Sequence, residues 1–399
     1  MKYPLLSNAF NRKDIQSGIN VLKSKQITMS KITYDFEKTF AKKNGSKFAV
    51  MTNSGSSANL LSLSAITNPV FSKRLYPGDE VLIPVICWST SLWPILQHQL
   101  KPVFVDVELN TFNICLDDLK KKISKKTKAI LLVHVLGTSV DMVKINKIVK
   151  KNNLLLIEDT CESLGAKFNK KSLGTYGSFG TYSFYYSHQI TSGEGGMIVC
   201  NKRSHYNLLK TLRSHGWSRN IRMSKKFLNQ YKNIDQRFLF INSGYNLRPT
   251  EIQSAIANNQ FNRLKKFMKI RDNNRKLIIN TLEQHKNWQD QFKFVKLSKN
   301  IQPSWFGLPI LINEKFKTKK QIFLKILTKQ GIENRPILSG NFANQPASKL
   351  FNLNPKREKF KNAQIIEDLG FFIGLHTQQL SLNDAKYIAN SLLKIDQLK

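Results

Sequence analysis

The chain contains little cysteine. Four of its 399 residues are cysteine, namely Cys87, Cys115, Cys161 and Cys200, and none of them form a Cys-x-x-Cys pair. They lie mostly in apolar, strand-like runs, which suits reduced and buried thiols better than a disulfide framework or a zinc site. The sequence therefore predicts a cytoplasmic protein without a bound metal.

Long apolar runs are also missing. No uninterrupted apolar stretch is long enough to span a bilayer, and the first residues, Met1-Lys2-Tyr3-Pro4, lack the apolar core of a signal peptide. No membrane partner is predicted. The 41% hydrophobic content is enough to bury a large core in one or two domains.

Acidic residues are scarce. Lysine and arginine number 63 against 26 aspartates and glutamates, which gives a formal net charge of +37. Such an excess is typical of some nucleic-acid-binding proteins. However, the lysines are scattered, with their densest run at Lys120–Lys128, and no recognised nucleic-acid module accompanies them. A solvated cationic face that attracts an anionic substrate is the favoured interpretation, and no nucleic-acid partner is predicted.

Strand-like runs separated by helix-length intervals occur in the first half of the chain. They lie at Phe48–Met51, Val81–Cys87, Val103–Val107, Ala129–Val135, Leu154–Glu158 and Thr181–Tyr185. This alternation predicts a layered α/β domain with a largely parallel sheet. A long helical stretch from Ile256 to Glu283 follows. We therefore expect a large domain over residues 1–258 and a smaller C-terminal domain over residues 259–399.

A turn rich in glycine and serine follows the first of these runs. Its sequence is Thr52-Asn53-Ser54-Gly55-Ser56-Ser57-Ala58-Asn59, and apolar residues at helical spacing come after it. Small residues at a strand-to-helix turn let the backbone approach an anion, and the N–H groups of the helix N-terminus point at that anion. The same turn could serve only as a helix N-cap.

Acidic residues follow another apolar run. The run Leu154–Ile157 leads into Glu158 and Asp159, and Glu162 comes three residues later. Such a pattern is typical of a buried parallel strand whose carboxyl end opens into a site. Trp88 likewise follows an apolar strand, although a tryptophan in that position is more often part of a core.

The segment Tyr182–Met197 reads YSFYYSHQITSGEGGM and carries a single histidine, His188. A lone histidine is most often a solvated or hydrogen-bonded side chain. Near neutral pH, however, an imidazole can also transfer protons. The sites predicted around it favour this second interpretation.

Taken together, these segments resemble the fold-type I pyridoxal-phosphate enzymes, and more narrowly the DegT/DnrJ/StrS-type family of sugar enzymes. Most members carry, at the position of His188, a lysine that holds the cofactor as a Schiff base. The chain most resembles the subgroup of 3-dehydratases that carry histidine there, and Glu162 is also typical of that subgroup. The resemblance implies a three-layer α/β/α large domain and a smaller C-terminal α/β domain.

The resemblance also implies roles for individual residues. His188 is the expected catalytic acid and base. The expected cofactor ligands are Gly55, Ser56, Ser57 and Ser183 at the phosphate, Trp88 at the ring face, Asp159 at the pyridine nitrogen, Glu162, and Asn246 at the cofactor of a neighbouring subunit. Substrate contacts are expected from His215, Arg219 and Arg335. Asn344 departs from the pattern, because relatives often have arginine there.

The activity implied by this resemblance is the removal of the C3 hydroxyl from a nucleotide-linked 4-keto-6-deoxyhexose, in dideoxysugar synthesis for surface polysaccharides such as lipopolysaccharide O-antigen. The implied cofactor is pyridoxal or pyridoxamine 5′-phosphate, bound without a covalent link, with glutamate as amino donor. A homodimer with shared active sites is expected. Because histidine has no primary amine, it cannot capture the cofactor as lysine does.

Three alternatives remain. A nucleotide-sugar aminotransferase would need a lysine near the Gly193–Gly196 segment, where Ser187, His188 and Gln189 stand. A CDP-4-keto-6-deoxyglucose 3-dehydrase carries a [2Fe–2S] cluster held by cysteines mostly beyond the histidine, and this chain has none after Cys200. A silent regulatory or nucleic-acid-binding protein is disfavoured because Asp159, Glu162, Ser183 and His188 occur together.

Overall fold

The structure is a computed structural model that describes residues 2–7, 9–219, 221 and 223–398. Its strands are β1 (Phe48–Thr52), β2 (Glu80–Pro84), β3 (Lys101–Val105), β4 (Thr127–Val133), β5 (Leu155–Asp159), β6 (Lys167–Phe168), β7 (Lys171–Ser172), β8 (Phe179–Ser183), β9 (Gly196–Cys200), β10 (Phe292–Phe294), β11 (Ile301–Gln302), β12 (Gly307–Ile312), β13 (Asn334–Arg335) and β14 (Gly370–Gly374).

The helices alternate with these strands through the first half of the chain. They are α1 (Arg12–Ser24), α2 (Lys31–Asn44), α3 (Gly55–Thr67), α4 (Ser89–Gln97), α5 (Leu116–Lys122), α6 (Met142–Lys151), α7 (Arg203–Arg213), α8 (Lys225–Gln230), α9 (Glu251–Phe261), α10 (Leu264–Glu283), α11 (Lys320–Lys329), α12 (Pro346–Leu350), α13 (Lys361–Leu369) and α14 (Leu382–Leu392). No helix of the described residues is both long and apolar enough to cross a membrane.

The largest sheet in the described part of the chain has seven strands in the order β1-β9-β8-β5-β4-β2-β3. The strands from β8 to β3 are parallel, and β9 runs antiparallel to both β8 and β1. Every residue of β2, β5, β8 and β9 is buried, as expected where helices cover both faces of a parallel sheet. The predicted fold class is confirmed.

A second sheet, in the order β10-β12-β14-β13, is antiparallel and belongs to the C-terminal part of the chain. The proposed division near Asn258 stays a prediction, and that residue lies inside α9. The single helical stretch predicted over Ile256–Glu283 is two helices in the structure. Thr250 caps α9, and the chain turns at Asn262-Arg263, where the Arg263 side chain binds Asp14 at 2.6 Å.

The predicted strands agree with the observed ones apart from their ends. Val85, Ile86 and Cys87 were predicted as strand residues, but they lie beyond β2. These three residues are fully buried, and the Val85 amide still donates to the Val105 carbonyl of β3 at 2.8 Å, so the chain leaves the sheet gradually here. The topology places the carboxyl ends of β1, β2, β4, β5 and β8 at one edge of the large sheet, where ligands of such folds bind.

Candidate active site

A cavity of about 470 Å³ opens at this edge of the sheet. Of the site residues predicted from the sequence, those that line it are Gly55, Ser56, Trp88, Asp159, Glu162, Ser183, His188 and Arg335. The opposite wall comes from Leu5 near the N-terminus and from Phe306, Leu338 and Phe372 of the C-terminal part. The cavity therefore brings together most of the predicted residues, from segments far apart in the chain.

The turn at Ser54-Gly55 forms one end of the cavity. The Ser54 hydroxyl accepts a hydrogen bond from the Ser57 amide at 3.0 Å, so α3 begins with a side-chain cap. A Cβ at Gly55 would lie 2.5 Å from the Cβ of Ser183, so no other residue fits there without displacing Ser183. A helix N-terminus beside two serines and a glycine fits a phosphate group. Ser57 does not line the cavity.

Asp159 ends β5 at the floor of the cavity and is buried. Its Oδ2 accepts hydrogen bonds from Asn59 Nδ2 and from Ser91 Oγ, both at 2.7 Å, and its Oδ1 accepts one from the Cys161 amide at 3.1 Å. All these donors are neutral, and no described residue forms an ion pair with this carboxylate. A buried carboxylate without a cationic partner fits a ligand that brings its own positive charge, such as a pyridinium N–H.

His188 lies on the loop between β8 and β9. Its Nδ1 is 2.7 Å from the carbonyl oxygen of Cys161, and because a carbonyl only accepts, Nδ1 must carry the proton. The lone pair of the neutral ring is then on Nε2. The ring packs edge-to-face against Phe306, with centroids 5.1 Å apart. These contacts fix both the tautomer and the plane of the imidazole.

Burial lowers the pKa of His188 from its usual value to about 4. The hydrogen bond to Cys161 and the charge of Asp159 oppose this effect, and the charge of Arg271 adds to it. At neutral pH the side chain is therefore a neutral base. Such a state is required of a group that takes a proton from a ligand in the cavity.

The pKa of Glu162 is shifted in the opposite direction. Burial raises the pKa of its carboxyl group to about 8, against the lowering effect of a hydrogen bond from the Leu136 amide to Oε2 at 2.9 Å. The group therefore keeps its proton at neutral pH and can donate a hydrogen bond. A neutral base and a neutral acid thus line the same cavity.

Trp88 and Arg335 lie toward the open side of the cavity. Trp88 precedes α4 and is 55% exposed, so its ring is available to cover a ligand and is not part of the core. Arg335, on β13, has its Nη2 2.6 Å from the Glu333 carboxylate. The other Glu333 oxygen accepts the Leu5 amide at 3.0 Å, which ties the N-terminal segment to this wall.

Besides Ser57, three predicted residues do not line this cavity. His215 and Asn246 lie together near Arg248, which donates to His215 Nε2 at 3.2 Å and to Asn246 Oδ1 at 2.9 Å. Arg219 is exposed. Asn246 is expected at the cofactor of a neighbouring subunit and His215 and Arg219 at the substrate, and these roles stay predictions.

Sequence reasoning missed several lining residues. Asn59 could have been found, because it lies four residues after Gly55 and therefore on the same side of α3. Ser91 follows Trp88 by three residues in α4 and could have been found in the same way. Phe306 carries no local signal, since only the packing of the C-terminal part brings it to His188.

These features fit one class of site, a pocket for a phosphorylated pyridine cofactor beside an unprotonated histidine. No lysine is among the described residues that line the cavity. The profile of the DegT/DnrJ/EryC1/StrS aminotransferase family matches residues 9–393, and the chain belongs to this family. The family predicted from the sequence is confirmed.

Within this family, the chain is similar to several individual enzymes. The chain is 36% identical over 385 residues to GDP-4-keto-6-deoxy-D-mannose 3-dehydratase of Escherichia coli O55:H7, covering 95% of this chain and 97% of that one. The solved structure of an E. coli enzyme of that name with bound hydrated PLP superposes with a TM-score of 0.88, at 35% identity and 98% and 99% coverage. Another solved structure, of GDP-4-keto-6-deoxymannose-3-dehydratase with a trapped PLP-glutamate geminal diamine, superposes with a TM-score of 0.86 at 34% identity, covering 98% of this chain and 100% of that one.

Proposed function

We propose that the protein is a pyridoxal-phosphate-dependent 3-dehydratase that removes the C3 hydroxyl of a GDP-linked 4-keto-6-deoxyhexose. The predictions of enzyme class and of cofactor are confirmed by the matched relatives. The observation that carries the assignment to this chain is His188, whose unprotonated Nε2 shares the cavity with the Asp159 carboxylate. GDP as the nucleotide, in place of CDP or another, rests on the names of those relatives.

Different residues of the cavity would bind different parts of the cofactor. The turn at Gly55, with Ser56 and Ser183, would hold the phosphate through backbone N–H and hydroxyl groups. Asp159 would keep a proton on the pyridine nitrogen, and Trp88 would cover the ring face. When bound, a pyridine ring with a protonated nitrogen supplies an electron sink. The Asp159 carboxylate favours that charge because its own hydrogen bonds come only from neutral groups.

His188 would move the proton. Its unprotonated Nε2 would take up a proton from the reacting carbon of the ligand, and the imidazolium so formed would give that proton to the departing C3 hydroxyl. The Cys161 carbonyl steadies the ring in both states, because the Nδ1 proton stays in place throughout. The protonated Glu162 would donate a hydrogen bond to an oxygen of the ligand. Glutamate, as amino donor, would restore the amine form of the cofactor.

Two further parts of the proposal concern the whole protein. A homodimer is proposed because His215, Arg219 and Asn246 lie outside the cavity of their own subunit, and because the exposed Phe240 packs on Trp217, which in turn packs on His215. A cytoplasmic location is proposed because the four cysteines are free and show no disulfide.

The test is a product assay. The purified protein is incubated with pyridoxal phosphate, glutamate and a panel of 4-keto-6-deoxyhexoses linked to GDP, CDP or dTDP, and the products are identified by mass. Loss of the C3 oxygen from the GDP sugar is the expected result. Gain of an amino group would instead identify an aminotransferase, and preference for the CDP or dTDP sugar would reject the GDP assignment.

A further inference from the structure

The loop that carries His188 is fastened to two other segments. Besides the hydrogen bond from His188 to Cys161, the side-chain nitrogen Nε2 of Gln189 donates to the backbone carbonyl of Ser304 at 3.0 Å and to the backbone carbonyl of Glu162. Ser304 begins the segment that leads through Trp305 and Phe306 into β12. The loop is therefore held between the end of β5 and the entrance to the C-terminal sheet.

Arg271 of α10 lies beneath this junction. Its side chain is only 2% exposed, and its Nη1 donates to the Trp305 carbonyl at 3.1 Å while its Nη2 donates to the His188 carbonyl at 3.3 Å. No carboxylate of the described residues forms an ion pair with it, and its Nε has no partner among them. A buried guanidinium without an anion costs desolvation free energy, so core stability alone does not account for this residue.

The charge of Arg271 acts on His188. The titratable and charged groups that face His188 are Asp159, Cys161 and Glu162 from the end of β5, Tyr185 and Glu194 from its own loop, Arg335 from β13 and Arg271 from α10. Burial is the largest cause of the lowered His188 pKa, and the positive charge of Arg271 lowers it further. A cation close to the ring disfavours a second positive charge on it.

We propose that Arg271 is a positioning residue for the reaction, which fixes the His188 loop against the Phe306 segment by donating hydrogen bonds to the backbone carbonyls of His188 and Trp305 and which holds a positive charge beside that loop. This inference rests on the proposed function, in which His188 is the base. Arg271 touches neither the cofactor nor the sugar, since it is not among the residues that line the cavity. Its two hydrogen bonds act on the backbone, so its effect reaches the ligand only through His188.

The chain offers a matched control in Arg275. It lies one helical turn further along α10, its guanidinium carbon lies 4.5 Å from the centroid of the Trp305 ring, and it donates to the Val295 carbonyl at 3.2 Å. It makes no contact with His188. Arg275→Met therefore removes a similar, largely buried arginine from the same helix without touching the His188 loop.

The experiment compares Arg271→Met, Arg271→Lys and Arg275→Met as full-length proteins loaded with cofactor. For Arg271→Met we expect kcat to fall roughly ten- to hundredfold at little change in KM, and the acidic limb of the pH profile to move to higher pH. Arg271→Lys keeps the charge but can bind only one carbonyl well, so kcat should fall while the acidic limb stays in place. Arg275→Met should keep both quantities near wild type.

A second measurement is independent of activity. The His188 imidazole is titrated by NMR in histidine-labelled protein without cofactor, and its signal is assigned by its loss in His188→Asn. The His188 pKa should rise in Arg271→Met and stay unchanged in Arg275→Met. An unchanged pKa together with wild-type kcat in Arg271→Met would overturn the proposal, and so would equal effects from Arg275→Met. If the wild-type protein fails to dehydrate the sugar panel, the proposed function fails, while this titration still tests the role of Arg271.

Discussion

At the scale of single residues, His188 combines a fixed tautomer with a low proton affinity. Replacing it in His188→Asn would remove the proposed base but leave the proposed phosphate, ring and pyridine contacts, which would come from other residues. Dehydration should fall by roughly two to four orders of magnitude, the usual contribution of a positioned acid or base. Cofactor absorbance titrations should give nearly the wild-type affinity. Wild-type turnover in this variant would show that His188 is not the base.

The pH dependence of the reaction follows from the same residue. Because the His188 pKa is lowered to about 4, its neutral and active form persists as the pH falls through the range where an ordinary histidine is protonated. The kcat/KM for dehydration should therefore hold from pH 7 down to roughly pH 5 before it declines. A profile that falls with a midpoint near that of an unperturbed histidine would contradict the structure.

Glu162 is expected to determine the alkaline limb of the pH profile. Its carboxyl group has a pKa raised to about 8, so it donates a hydrogen bond below that value and becomes an anion above it. Glutamine mimics the protonated acid as a donor that cannot ionise. Glu162→Gln should retain activity within about tenfold at pH 7 and lose the alkaline decline of the wild-type profile. The measurement is kcat against pH for both proteins; an unchanged alkaline limb would assign that limb to another group.

At the scale of elements, the start of α3 depends on one glycine. In Gly55→Ala the added Cβ would collide with Ser183, and the turn and β8 would have to separate. Cofactor affinity should fall roughly ten- to hundredfold. Gly18→Ala in α1 is the matched control, because a Cβ there meets only ordinary contacts, the nearest at 3.5 Å from Ile256. Equal cofactor affinity in the two variants would argue against a phosphate site at this turn.

The elements also show which parts of the fold and of the site could be predicted from the sequence. The strands of the large sheet were predictable because buried parallel strands are apolar throughout, and Asp159 and His188 stand out as polar residues beside such runs. Phe306 and Arg271 were not predictable, because they reach the site only through the packing of the C-terminal part against the large sheet. The break between α9 and α10 escaped notice because no glycine or proline marks it, and the turn depends on the distant Asp14.

At the scale of the whole molecule, shared active sites can be tested by mixing two inactive proteins. A dimer of His188→Ala with Asn246→Ala has one site in which both wild-type residues meet, if Asn246 serves the neighbouring subunit. Random exchange should then restore roughly a quarter of wild-type activity. Mass measurement of intact dimers provides the control for exchange. Mixed dimers without recovered activity would show that Asn246 is not needed across the interface.

The position of β9 has a consequence for the order of folding. It pairs with β8, which is close to it in sequence, and also with β1, which is far from it in sequence. In the pairing with β1, Phe48 lies opposite Cys200. The Gly55 turn can therefore meet Ser183 only after the intervening strands have been synthesised and ordered. Binding of the cofactor during translation would thus report the late closure of a long-range strand pair, and ribosome-bound chains that stop before β9 should not acquire it.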